Sequence, residues 1–160
     1  LVLEPWSDAE LRAVEPEADV PLNADVRAEL LMLTGGWPEV LDPALANGRR
    51  AEVSAMVSVA ADMAQAVVDR GWGDLADRLG IPRDSAEKQV LDAFLAWEDP
   101  LGRTDLADLL PRWDPRQVTT VLDHLVLAGA VHPVVSGTPQ QPGVAYRVNP
   151  LVVRTIKADC

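Results

Sequence analysis

The 160-residue sequence predicts a mainly α fold, a small helical bundle followed by a winged helix-turn-helix with a two-stranded wing. Three observations predict it. Val53, Met56, Val57, Ala60, Ala64, Val67 and Val68 recur at helical spacing and put one apolar stripe on a long helix. Glycine and proline act as helix stops and starts in the first half, most compactly in Leu33-Thr34-Gly35-Gly36-Trp37-Pro38. Two β-rich runs, Ala130 to Val135 and Val144 to Val148, come only after three further helical patterns.

Taken in order, Leu1 to Leu3 reads as the end of a strand, and Ser7 with Glu10 three residues on forms a capping box that starts a helix over Asp8 to Val14. Glu15 to Pro21 is acidic, twice broken by proline, and reads as a loop. Asn23 caps a helix over Ala24 to Leu33, which Gly35 and Gly36 end and Pro38 restarts, giving a third helix over about Glu39 to Ala46 that stops at Asn47-Gly48. The long helix covers 50–70. Gly73 to Pro82 adds a short helix whose glycine stop, Gly80, is followed by an apolar residue that covers the last turn. Its Asp-Leu-Ala-Asp core recurs at Asp105 to Asp108. From Ser85 the order is helix (Ala86 to Trp97), a turn, short helix (Asp105 to Leu110), helix (Pro115 to Ala128) and the two β runs. Between those runs, Ser136 to Gly143 is crowded with turn formers and predicts a hairpin with a long tip. A second register remains open, in which Leu75 to Ile81 is the second helix of the motif and the helix from Ser85 its third.

With 48% apolar residues the chain can bury a core, and its length suits one domain or two small ones. Uneven charge favours two: residues 1–84 carry 16 acidic and 7 basic side chains, residues 85–160 only 9 and 7. The expected parts are 1–48, connecting helices over 49–84, and a winged-helix domain over 85–160. A net charge of −11 favours protein partners over nucleic acid or anionic membrane. The one cysteine, Cys160, is the last residue, so the chain holds no internal disulfide, and a reducing, cytoplasmic setting is expected. Leu1 to Pro5 has neither a methionine nor a signal-peptide pattern and reads as the cut end of a larger protein. Asp62, Gln65, Asp69 and Arg70 interrupt the longest apolar stretch and exclude a membrane span there.

Chemistry-bearing residues are sparse. His124, His132 and Cys160 lack metal-ligand spacing. Ser7, Ser54, Ser58, Ser85 and Ser136 lack a nucleophile setting. Asp74 with Asp77, and Asp105 with Asp108, fall in first turns, where they favour the positive end of a helix dipole. Trp6, Trp37, Trp72, Trp97 and Trp113 each stand near an element end and read as pins of helix junctions. Trp37 stands inside the Gly-Gly-Trp-Pro corner.

Two resemblances add to this. Val118, Val121, Leu122 and Leu125, with the exit Leu127-Ala128-Gly129-Ala130-Val131, resemble winged helix-turn-helix domains. That resemblance implies a third helix facing a DNA groove or a partner, through Arg112, Arg116, Gln117 and Thr120, with Arg147 on the second wing run. The chain departs from the DNA-binding pattern in the acidic Asp114 and Asp123 and in a wing tip without Lys or Arg, so a protein-docking winged helix is expected. Pro5-Trp6-Ser7-Asp8-Ala9-Glu10-Leu11 and the Leu33 to Pro38 corner resemble the helical lid of AAA-like ATPases, especially the STAND and archaeal-type branches, across about residues 1–48.

The lid resemblance implies that Gly36, Trp37 and Pro38 meet the base of ATP or ADP in a full-length chain, against an upstream ATPase core, and leaves the Trp37 ring three readings: at that nucleotide, against that core, or in the lid's own core. No Gly-x-x-x-x-Gly-Lys-Ser/Thr loop is present, so this fragment is expected to hold no cofactor and to be no enzyme by itself. The expected function is the regulatory or interaction end of a signalling or transcription-associated P-loop ATPase. The alternative is a DNA-binding winged-helix transcriptional regulator.

Overall fold

A computed structural model of the chain describes residues 5–14, 22–48, 52–82, 84–97, 99–138 and 141–159. The expected strand end at Leu1 to Leu3, the acidic loop Glu15 to Pro21 and Cys160 lie outside them. The element order is α1 (Asp8–Val14), α2 (Ala24–Thr34), α3 (Pro38–Gly48), α4 (Val53–Leu79), α5 (Ala86–Leu95), α6 (Arg103–Leu109), α7 (Pro115–Leu127), β1 (Val131–Thr138), β2 (Gln141–Val148) and α8 (Pro150–Ala158). This is the mainly helical fold with a two-stranded wing that the patterns predict. Packing divides the chain into two units, Leu3–Trp72 with Pro150–Cys160, and Gly73–Asn149.

That division departs from the expected parts at both ends of the winged helix. The turns of α4 after Gly71 join it, and the C-terminal segment leaves it. Gly71, at φ 80° and ψ 171°, breaks α4, and the chain changes unit just beyond it. α8 was not anticipated; its buried Leu151, Val152, Thr155 and Ile156 line one face, and it packs in the first unit with α2.

In the first unit, the fully buried Leu11, Leu22, Leu30, Leu41, Met56 and Ala60 form the core. Met56, Ala60, Ala64 and Val67 of the predicted stripe are all buried there. At the start of α1, the Glu10 carboxylate accepts the Ser7 backbone N–H at 2.6 Å and also takes the Ser7 hydroxyl. Arg27, buried on α2, donates to the Asp8 carboxylate at 2.7 Å and to the Leu22 carbonyl, tying α2 to α1. From α8, Arg154 donates to the Leu33 carbonyl at 3.2 Å, and Asp159 accepts the Trp72 backbone N–H at 2.7 Å, where α4 restarts.

The second unit is built on α5, α6 and α7, which pack against one another with β1 on α7 and β2 on α5. The wing leaves from α7, so α7 is the third helix of the motif and the earlier register does not apply. Gly129, at φ 72°, turns the chain out of α7, with its N–H on the Val126 carbonyl and the Ala130 N–H on Leu125. This is a Schellman exit, closed by the buried Leu125 and Ala130.

Leu101, between α5 and α6, pairs with Tyr146 in an isolated antiparallel bridge beside the two-stranded sheet. The hairpin itself differs from its prediction: Ser136↔Gly143, Gly137↔Pro142 and Thr138↔Gln141 continue the ladder, so the strands are longer and the tip shorter. A two-stranded ribbon has only edge strands, and a proline there need not interrupt a hydrogen bond.

Candidate partner-binding groove

The turn before α7 and the first two turns of α7 collect the polar candidates. Pro115 sits at the first helical position, and Asp114 caps the helix by accepting the Arg116 N–H at 2.7 Å. Gln117 returns the favour, its Oε1 accepting the Asp114 N–H at 3.2 Å. This box sets Arg116, Gln117 and Thr120 on successive turns of one face. Together with Arg112 and Trp113 of the turn they line an open groove of about 470 Å³ floored by Ala86 and Val121. A smaller hollow of about 210 Å³, between Gln89 and Leu109-Leu110-Pro111, shares Arg112 and Trp113.

Four of the five winged-helix contact residues anticipated from sequence are thus brought together. The fifth, Arg147, is absent from the groove lining. It stands on β2 directly opposite His132, and burial, reinforced by the Arg147 charge, holds the His132 imidazole below its usual range. Trp113, Ala86 and Val121 were not anticipated as groove residues. Trp113 carried a signal, standing between Arg112 and Asp114 at the mouth of α7; Ala86 and Val121 carried none, because only packing of α5 beside α7 makes them a floor.

The charges around the groove are sorted by neighbours. Arg103, at the start of α6, donates to Asp123 at 2.8 Å and to the Tyr146 hydroxyl at 3.1 Å, with its guanidinium 5.8 Å from the Tyr146 ring centre. Asp123 is thereby neutralised, and Arg103 is occupied. His124 meets Glu87 of α5 at 2.8 Å. Burial raises the Glu87 carboxyl, but the His124 hydrogen bond, with others from its own backbone and Ser85, leaves it below its ordinary value. Arg112 and Arg116 have no carboxylate partner among the described residues.

The Gly36-Trp37-Pro38 corner has a different character. Gly35 and Gly36 take left-handed φ values of 64° and 75°. The Thr34 hydroxyl donates to Leu30 at 2.7 Å and accepts the Gly36 N–H at 3.2 Å. Trp6 donates its backbone N–H to the Gly36 carbonyl at 2.7 Å, and Trp37 is only 5% exposed. Gly36, Trp37 and Pro38 are all buried within their own unit. Of the other tryptophans, Trp72 is buried and Trp97 is 52% exposed. No group of three or more His, Cys, Asp or Glu side chains is gathered as metal ligands would be, among the described residues. No described helix is long and apolar enough to cross a membrane. Compared with protein-family models, curated proteins and solved structures, the chain finds no significant match.

Proposed function

We propose that the chain is the regulatory end of a larger signalling or transcription-associated P-loop ATPase, and that its winged helix docks onto protein rather than duplex DNA. The observation that carries the docking reading is the shortage of free cations where a duplex would lie. Affinity for DNA is built from Lys and Arg that neutralise phosphates. Here Arg112 and Arg116 have no carboxylate partner among the described residues while Arg103 is held by Asp123, and Arg147 is the one cation on the described strands. The stretch 73–149 also carries 11 acidic side chains against 7 basic ones, which repel a polyanion at long range.

The ATPase reading rests on residue order, a lid-like corner followed by a winged helix. It gives the full-length chain ATP or ADP as a ligand, with Gly36, Trp37 and Pro38 toward the base, and leaves hydrolysis to a phosphate-binding loop outside this chain. Because the three corner residues are buried, contact with a base requires the corner to present its backbone edge or to open.

A fluorescein-labelled duplex titrated with the full chain at low salt tests the docking reading. The expected result is no salt-sensitive rise in anisotropy. A rise that collapses with added salt and disappears in the Arg112→Glu/Arg116→Glu variant refutes it in favour of the DNA-binding regulator. For the ATPase reading, the coding sequence upstream of Leu1 is decisive: a Gly-x-x-x-x-Gly-Lys-Ser/Thr loop supports it, and its absence removes it.

A further inference from the structure

We propose that the groove at the α6–α7 turn is a binding site for an acidic peptide segment of a partner protein, one that alternates carboxylates with an apolar side chain. The inference rests on the protein-docking reading and names the chemistry of the partner. It comes from an imbalance in what the groove offers. Arg112 and Arg116 present guanidinium donors with no carboxylate partner among the described residues. Gln117 has committed its Oε1 to the Asp114 N–H, leaving its amide NH₂ as a further donor. Asp114 spends its carboxylate on capping, accepting the Arg116 backbone N–H at 2.7 Å. Thr120 donates its hydroxyl hydrogen to the Arg116 carbonyl at 2.9 Å, so toward the groove it has only lone pairs for a backbone N–H.

The polar rim is therefore rich in donors and asks for an acceptor-rich ligand. Guanidinium groups meet carboxylates in paired, charge-assisted hydrogen bonds. The floor adds the second requirement. Ala86, Val121 and the half-buried Trp113 are apolar or aromatic, and they suit a side chain such as leucine rather than a sugar-phosphate backbone. The adjoining hollow beside the 41%-exposed Leu109 extends this apolar track past Arg112 and Trp113. An extended chain running along both hollows would place carboxylates over the arginines and an apolar residue over the tryptophan. Charge complementarity points the same way: two arginines without a carboxylate partner among the described residues stand side by side in one groove of a chain of net charge −11, so an acidic segment finds attraction here and repulsion over most of the remaining surface.

The test is anisotropy of a fluorescein-labelled peptide, Glu-Asp-Leu-Glu-Asp-Leu-Glu-Asp, titrated with the full chain at low salt. The Gln/Asn analogue and a duplex DNA serve as parallel probes. Saturable binding of the acidic peptide is expected, weakened at least about tenfold in Arg112→Glu/Arg116→Glu by loss of two charge-assisted contacts. Trp113→Ala should also weaken it, and Arg147→Glu, outside the groove, should leave it unchanged. Both groove arginines are exposed, so circular dichroism should show the reversed variant melting as the parent does; the milder Arg112→Gln/Arg116→Gln pair repeats the comparison if it does not. Equal binding by parent and variants, equal binding of the Gln/Asn analogue, or no peptide binding overturns the acidic-peptide site while leaving docking through another face intact. Salt-steep duplex binding lost in the variants overturns both readings.

Discussion

Replacing Gly36 with alanine probes whether the corner's glycine is there for backbone reasons alone. A Cβ at this position would lie 2.3 Å from the Trp6 carbonyl oxygen, about 1 Å inside the 3.4 Å at which ordinary contact begins. The obstacle is backbone, so no rotamer change relieves it. Three costs add. The left-handed φ of 75° costs an L side chain about 1–2 kcal/mol. Moving the Trp6 backbone away stretches the 2.7 Å bond from the Trp6 N–H to the Gly36 carbonyl, worth about 1 kcal/mol. The displacement also disturbs Trp6, which packs on the core, and overpacking of this kind costs about 1–3 kcal/mol.

Together the loss should be about 3–6 kcal/mol. Gly80 is the control: it has a similar φ of 69° but open space where its Cβ would go, so Gly80→Ala should cost only the backbone share of about 1–2 kcal/mol. Urea unfolding followed by tryptophan fluorescence and far-ultraviolet circular dichroism measures both, each on the transition of its own unit. If Gly36→Ala is no more destabilising than Gly80→Ala, the close approach of Trp6 does not govern the corner. If the difference appears, the glycine at 36 is fully accounted for by packing, and its presence is no evidence for a ligand.

Asp8→Asn should lower the melting temperature, because it removes the charged partner of a guanidinium that is 8% exposed; thermal melts compare it with Asp8→Asn/Arg27→Met, in which the stranded cation is gone and much of the loss should be recovered. The hydrogen bond from Arg27 holds the Asp8 carboxyl below its usual value of 3.8. Its stabilisation is therefore complete above that value and lost as pH falls through the lowered one. The acid-side fall in melting temperature should be shallower in Asp8→Asn, and an unchanged profile would argue against the linkage. At the other end of the chain, Asp159→Ala should lose about 1 kcal/mol, the worth of a capping carboxylate at a helix start, since Asp159 accepts the Trp72 N–H at 2.7 Å just past the Gly71 break. Asp159→Asn should retain most of it in the same melts, and an equal loss in both would point to packing instead.

Much of the fold was legible where a local pattern has one structural outcome. Ser7 with Glu10 located the start of α1, the Gly-Gly-Trp-Pro corner separated α2 from α3, and Leu127 to Val131 marked the exit of α7 into the wing. The misses are non-local or ambiguous. Asn149-Pro150 followed by Leu151, Val152, Thr155 and Ile156 is a fair helix signature. Yet it continues a β-branched run from Val144, and Val152-Val153 reads equally well as strand. What makes it α8 is burial in the first unit, which local sequence does not encode. The bridge from Leu101 to Tyr146 is a single pairing with no periodicity to betray it. Pro142 was read as a stop, although in a ribbon made only of edges it can be accommodated.

The same distinction sorts the candidate site. Arg112, Arg116, Gln117 and Thr120 were visible because i, i+1 and i+4 on one helix, with a cation just before its cap, are a local matter. Whether those cations are free was not. Asp123 looked like an opposing charge on α7, and the structure assigns it to Arg103 from α6, 20 residues away; removing Arg103 would release that carboxylate beside the recognition face. The electrostatics of the groove are therefore set by a pair that does not line it. Since both members are about half exposed, at 48% and 55%, the pair adds little to stability. Its larger effect is on recognition: with Arg103 in place, an approaching acidic segment meets Arg112 and Arg116 without a competing charge from Asp123.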